Sequence, residues 1–171
     1  RGVAVTPTWI YWPSLTGNEI GRANLDGTGK TLGLVTGVAS PCSVATDSGH
    51  VYWGSGATPG FVGRATLAGG LQEREWANLG SYIPCGLAVN TANVFVANFG
   101  FISKAHEIGR LSITGGTFQP SLIGEADGPC GLAISGTKLY WANNGTNTIG
   151  VANTDGTSPN EEFVQTGGNE I

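Results

Sequence analysis

The chain contains no Met, and only 12% of its 171 residues are charged. Lys and Arg number 8 against 12 Asp and Glu, which gives a net charge of -4 and no basic block. Because nucleic-acid binding needs Lys and Arg to neutralise phosphates, we expect no nucleic-acid partner. No apolar run approaches the roughly 20 residues that a membrane span requires, so we expect no membrane span. The missing initiator Met predicts a mature product or a piece of a longer chain.

Sequence motifs of common enzymes are also missing. There is no phosphate-binding glycine loop, dinucleotide motif, zinc-protease motif or nucleophile elbow. His50 and His106 have no obvious carboxylate partner in the sequence, and acid-base catalysis requires partners within hydrogen-bond reach. We interpret both as surface histidines, and Asp26 and Asp155 as turn residues. We therefore predict no cofactor and favour a non-catalytic protein, with an enzyme kept as the alternative.

What the chain has in abundance is glycine, at 29 residues, together with Val, Ile, Tyr and Trp. This composition favours short strands joined by tight turns over helices or disorder. The length suits one domain with a real core.

Four copies of one repeat fill the chain. An aromatic strand recurs as "IYW", "VYW", "VFV" and "LYW", and its central residues are separated by 41, 43 and 45 positions. The next strand recurs as "EIGRANLDG", "FVGRATLAGG", "EIGRLSITGG" and "TIGVANTDG". A small apolar strand precedes each pair and a more variable segment follows it.

A period of about 40–45 residues with four strands per unit is typical of a β-propeller blade. The sequence therefore predicts an all-β propeller of four-stranded antiparallel blades. We expect a single domain over residues 1–171, with blades at about 1–40, 41–82, 83–127 and 128–171. One blade cannot bury both of its faces alone, which explains the apolar residues at fixed repeat positions.

The motifs "YW", "IGRANLDGT" and "PCGLAV" resemble the YWTD-type propeller repeats of lipoprotein-receptor ectodomains. They resemble still more the YWAN-type repeats of secreted bacterial propellers. The Thr-Asp of the YWTD motif is replaced by Pro13-Ser14, Gly54-Ser55, Ala97-Asn98 and Ala142-Asn143, so receptor-type ligand binding is not carried over. The resemblance implies a secreted or extracellular protein, with the cell surface and the periplasm as possible sites.

The number of blades leaves three alternatives open. The YWTD family that the repeats resemble closes with six blades and its lyase-like relatives with seven, whereas this chain has four repeats. The chain is therefore part of a six- to eight-bladed ring, a closed four-bladed ring, or one of several copies that join to complete a ring. An open edge with bare apolar faces favours association.

Three cysteines share one repeat position, in the motifs "PCS", "PCG" and "PCG". Cys42, Cys85 and Cys130 are expected to form a partial ring of thiols around one mouth of the channel. Thiolates bind zinc or copper(I), but ligands spread around a ring do not converge on one ion. A disulfide requires Cα atoms within about 7 Å, and neighbouring blades need not offer that spacing. We favour small buried side chains and predict no metal.

Loops on one face of the ring are the expected binding surface, because loops carry function on rigid scaffolds. Loop 97–107 is the longest of them and departs most from the repeat. The candidate ligand-binding residues are Phe99, Phe101, Lys104, His106 and Trp76. The alternative is that the two Phe residues cover the ring edge and that Trp76 faces the neighbouring blade.

Two functions follow. The first is a non-catalytic extracellular module that binds a protein or glycan through loops, or assembles with copies of itself. The second is a metal-dependent enzyme resembling streptogramin lyases or lactonases, with site residues partly outside this chain.

Overall fold

The computed structural model describes residues 2–99 and 106–167. Within these ranges the chain is all-β, and its strands form four separate antiparallel sheets of four strands each. In every sheet the strands are neighbours in chain order. The predicted architecture of four four-stranded antiparallel blades is confirmed.

The blades are numbered in chain order. The first contains β1 (Ala4–Val5), β2 (Trp9–Ser14), β3 (Glu19–Asn24) and β4 (Thr31–Thr36). The second contains β5 (Pro41–Thr46), β6 (His50–Ser55), β7 (Gly60–Thr66) and β8 (Glu73–Gly80). The third contains β9 (Pro84–Val89), β10 (Asn93–Asn98), β11 (Glu107–Ser112) and β12 (Gln119–Ile123). The fourth contains β13 (Pro129–Ser135), β14 (Lys138–Asn143), β15 (Thr148–Asn153) and β16 (Asn160–Gln165).

A glycine in the third strand makes room for a Trp of the second strand. Trp53 pairs with Gly63 across β6 and β7, and Trp141 pairs with Gly150 across β14 and β15. A Cβ atom on either glycine would overlap the indole ring of its partner. The glycine at this repeat position, in "VGR" of the second blade and "IGV" of the fourth, is therefore required by packing inside the blade.

Among residues 2–99 and 106–167, three apolar clusters form the core, and each lies between two successive blades. The innermost strands contact each other in the order β1, β5, β9 and β13. The described residues form no comparable interface between the first and fourth blades. The blades therefore form an open arc, and the alternative of a closed four-bladed ring does not describe this structure.

Residues 2–99 and 106–167 include no helix with the length and apolar character of a membrane span.

Candidate functional site

Each inner blade packs between its neighbours through two faces. We call the side that meets the following blade the forward face and the side that meets the preceding blade the backward face. The forward face of the first blade comprises Ala4, Tyr11, Ile20 and Val35. The backward face of the second blade, packed against it, comprises Val44, Val51, Trp53 and Ala65.

Strand register identifies the forward face in every blade. An innermost-strand Ala lies opposite a second-strand aromatic residue in the pairs Ala4–Tyr11, Ala45–Tyr52, Ala88–Phe95 and Ala133–Tyr140. In the first three blades the aromatic side chain is fully enclosed, with at most 1% exposed. The forward face of an inner blade is therefore a core surface.

The forward face of the fourth blade is uncovered. It comprises Ala133, Tyr140, Ile149 and Val164, and Ala133 is exposed while Tyr140 and Ile149 are partly exposed. Val164 is 45% exposed, whereas its counterparts in the other blades are buried. Phe163 extends the patch, with its ring centroid 6.1 Å from that of Tyr140. An apolar surface with aromatic side chains is thus left open at this end of the arc.

The backward face of the first blade is uncovered as well. It includes Val3, Ile10 and Trp12, which correspond to Val44, Val51 and Trp53 of the second blade. Val3 is 62% exposed, and Ile10 and Trp12 are partly exposed. Their three counterparts are buried between the first two blades. The two ends of the arc therefore present the two complementary surfaces that pack together inside it.

Hydrogen bonds fix the joints between blades. The hydroxyl of Tyr11 and Nη1 of Arg22 both donate to the carbonyl oxygen of Leu67, at 2.8 Å and 2.9 Å. At the next joint, Nη1 of Arg64 donates to the carbonyl oxygen of Ile113 at 3.0 Å. The acceptor follows the third strand of the next blade in both cases. These two joints thus combine apolar burial with a directional contact.

A partly buried polar network supports the turn before β6. Asp47 accepts hydrogen bonds from the backbone N–H of Gly49 at 2.7 Å, from that of His50 at 2.6 Å and from the hydroxyl of Tyr52 at 2.8 Å. Burial opposes ionisation of Asp47, but these hydrogen bonds prevail and its pKa lies below the ordinary value. Burial and the nearby carboxylate raise the pKa of Tyr52. His50 therefore has a carboxylate neighbour that the sequence did not reveal.

The channel between the innermost strands holds a cavity of about 610 Å³. The described residues that line it are small or apolar, and none is charged. In the part of the chain that the structure describes, no three His, Cys, Asp or Glu side chains come together as a possible metal site.

Cys85 and Cys130 form a disulfide between the third and fourth blades, with Cα atoms 5.3 Å apart. The innermost strands of these blades approach closely because glycine follows each cysteine, and a Cβ on Gly86 would lie 2.7 Å from the backbone nitrogen of Gly131. Neighbouring blades thus do offer disulfide spacing, and the interpretation of these two cysteines as buried thiols is corrected. The Cys42 thiol donates to the carbonyl oxygen of Pro84 at 2.9 Å.

Loop 97–107 lies only partly within the described residues, and Phe101 and Lys104 fall outside them. Phe99 and His106 are both partly exposed. His106 accepts a hydrogen bond at Nδ1 from the backbone N–H of Gly128 at 2.7 Å, and the same atom is 3.3 Å from Oδ1 of Asp127. His106 therefore contacts the segment that leads into the fourth blade.

Trp76 packs at the joint between the second and third blades. Its ring lies 5.7 Å from that of Tyr52, and the Arg64 guanidinium stacks over it at 4.5 Å. It belongs to the apolar surroundings of the core cluster there. This position agrees with the alternative in which Trp76 faces the neighbouring blade.

No protein-family model matches the chain. Among solved structures, a chain of the nidogen/laminin complex shares its fold, with a TM-score of 0.78 and 20% identity over 93% of this chain and 61% of that one. The virginiamycin B lyase of Staphylococcus aureus bound to quinupristin has a TM-score of 0.73 and 22% identity, over 97% of this chain and 56% of that one. A gluconolactonase of Xanthomonas campestris has a TM-score of 0.69 and 19% identity, over 88% of this chain and 56% of that one.

The fold is a β-propeller. The chain spans little more than half the length of these similar structures, and at such identities the likeness concerns the fold alone. The neighbours include propellers from a protein complex and propellers that are enzymes. They do not separate binding from catalysis.

The sequence does not single out the end-face residues as candidates. Tyr140 and Trp12 occupy ordinary repeat positions, so their motifs look like those of buried residues. The signal that could have located them is their place in the first and last repeats, combined with the open edge that an incomplete ring would have.

Proposed function

We propose that the chain is a non-catalytic propeller module that binds a protein partner through its uncovered blade faces. The observation that carries this proposal is the contrast between Tyr140 and its counterparts. The same position is enclosed in the first three blades and open in the fourth. Large exposed apolar patches mark interaction surfaces.

The energetics favour a partner on these faces. Burying one large aliphatic side chain contributes about 1.5–3 kcal/mol. Val164, Phe163 and Val3 are each close to half exposed or more, so much of that contribution is still available to a complex. A flat apolar face fits a protein surface better than a glycan, whose hydroxyl groups need polar partners.

The part of the channel wall that the described residues form supports a non-catalytic role. Its wall has small and apolar side chains, without a charged group to act as acid, base or metal ligand. We keep Phe99 and His106 as proposed contacts for a ligand at the loop face.

We also propose that the protein works outside the cytoplasm. The Cys85–Cys130 disulfide supports this placement, because disulfides persist in oxidising compartments. The resemblance of the repeat to secreted bacterial YWAN-type propellers supports the same placement.

The proposal is tested in two measurements on the dilute protein. The first is fluorescence of 8-anilinonaphthalene-1-sulfonate, a probe of exposed apolar surface. We expect binding that is weakened by Val164→Lys and unchanged by Leu71→Lys, a control at an 83% exposed position in the turn between β7 and β8. The second is incubation with gluconolactone and with quinupristin, for which we expect no turnover. Turnover that is lost on replacing Ser43 in the channel wall would contradict the non-catalytic role.

A further inference from the structure

We propose that the partner is a second copy of this chain, whose first blade packs its backward face on the forward face of the fourth blade. This inference rests on the proposed function and names its partner. Inside the arc, every forward face packs against the backward face of the next blade, so the uncovered forward face of the fourth blade fits a surface of that kind. The chain itself carries that surface, uncovered, at its other end.

The residues at the two ends match those of the internal joints. Tyr140, Ile149 and Val164 stand where Tyr11, Ile20 and Val35 stand in the first blade. On the opposite side, Val3, Ile10 and Trp12 stand where Val44, Val51 and Trp53 stand in the second blade. The joint between copies would therefore repeat the packing already seen between the first and second blades.

A specific hydrogen bond is expected at the new joint. Tyr11 donates to the carbonyl oxygen of Leu67, which lies two residues beyond Ala65 in the second blade. Tyr140 corresponds to Tyr11, and Leu25 corresponds to Leu67. Leu25 is half exposed. The Tyr140 hydroxyl of one copy is thus placed to donate to the Leu25 carbonyl of the other.

The interface between two copies would pair unlike faces, so it is heterologous. Copies that associate through a heterologous interface form either a closed ring or an open filament. Two copies close a ring of eight blades, four from each copy. That number lies within the usual range of propellers. Such a ring contains two copies of this interface, and the second forms within an already associated dimer, which stabilises the ring.

The test uses two variants that each disable one face. Val164→Lys places a charge on the forward face of the fourth blade, and Val3→Lys places one on the backward face of the first. Both positions are exposed in the single chain, so folding is not expected to suffer. A charge desolvated in an apolar joint lowers the association constant by roughly a hundredfold or more. Leu71→Lys is the control with the same charge change away from both faces.

Sedimentation velocity then measures mass for each protein alone and for the mixture. We expect the parent and Leu71→Lys to sediment as a dimer, and each face variant alone as a monomer of 17.5 kDa. An equal mixture of the two face variants should restore a dimer, because one intact joint forms between the unmodified faces. A decrease of about tenfold in the association constant of Tyr140→Phe would support the hydrogen bond to the Leu25 carbonyl.

Three results would overturn the second copy as partner. These are a monomeric parent, a Val3→Lys variant that dimerises alone, and a mixture that stays monomeric while the parent dimerises. A monomeric parent that still binds the apolar probe on the fourth blade would leave the proposed binding function standing. Substrate turnover in the channel would remove that function and leave the dimer untouched, so the two failures are distinguishable.

Discussion

The hydroxyl of Tyr11 donates a 2.8 Å hydrogen bond to the carbonyl oxygen of Leu67 in the next blade. Arg22 donates to the same oxygen at 2.9 Å. The contact is directional, and it lies at the edge of an apolar joint that encloses the Tyr11 ring completely. It therefore fixes the position of one blade against the next.

Tyr11→Phe removes this donor while it keeps the ring. We expect a loss of about 0.5–1.5 kcal/mol in the free energy of unfolding, toward the lower end because Arg22 still satisfies the acceptor. Urea denaturation of the dilute protein measures it. Tyr140→Phe is the matched control, since no blade of the same chain covers its face, and we expect no loss. Equal losses in both variants would mean that the joint does not distinguish the two positions.

Gly63→Ala places a methyl group against the Trp53 indole, which is fully buried. The added Cβ would also overlap the backbone oxygen of Arg74, so ring or backbone must shift, and we expect a loss of about 1–3 kcal/mol in the free energy of unfolding. Thermal and urea denaturation measure the loss, and near-ultraviolet circular dichroism reports on the indole. Gly49→Ala is the control, because its added Cβ would make only an ordinary contact 3.8 Å from Asp47. An unchanged stability for Gly63→Ala would show that the blade tolerates a side chain there.

The Cys85–Cys130 disulfide links residues 45 positions apart. Replacing both with Ser should lower the free energy of unfolding by about 2–4 kcal/mol, and the double variant should no longer respond to reductant. Cys42→Ser keeps a hydroxyl donor for the Pro84 carbonyl and is expected to stay close to the parent. A parent protein whose urea midpoint is the same with and without reductant would contradict this prediction.

Asp47 gives the stability a pH dependence of definite sign. Its folded-state pKa is depressed below the ordinary 3.8, so its contribution is fully present above that value and is lost as pH falls through the folded-state pKa. We expect Asp47→Asn to cost about 1–3 kcal/mol at neutral pH. The difference from the parent should shrink as pH falls below about 4.

Urea titrations at several pH values check this dependence. Asp26→Asn is the comparison, because Asp26 also has a depressed pKa, held there by hydrogen bonds from Thr28, but is solvent-exposed. It should produce a smaller change. A constant difference between parent and Asp47→Asn from neutral to acidic pH would rule out the ionised carboxylate as its cause.

The repeat made the blades predictable, because aromatic and glycine positions recur at one period and each repeat spells four strands. One position of the repeat is occupied by Tyr11, Tyr52, Phe95 and Tyr140. Their different exposure depends on which blade follows, and that is a property of the arc and not of the local sequence.

The disulfide was missed for a related reason. The repeat places Cys85 and Cys130 at equivalent positions, but their separation depends on how closely two inner strands approach. That approach is close because Gly86 and Gly131 lie side by side without side chains. Strand spacing across a channel is set by tertiary packing, which the repeat period does not contain.

Association through the fourth blade is measured by hydroxyl-radical footprinting of Tyr140 across a dilution series, read by mass spectrometry with Tyr11 as the internal reference. We expect Tyr140 to be modified in the dilute protein and to become protected as concentration rises, while Tyr11 is protected throughout. Modification of Tyr140 that is the same at every concentration would contradict association through this face. Protection of Tyr140 equal to that of Tyr11 at the highest dilution would contradict the open arc itself.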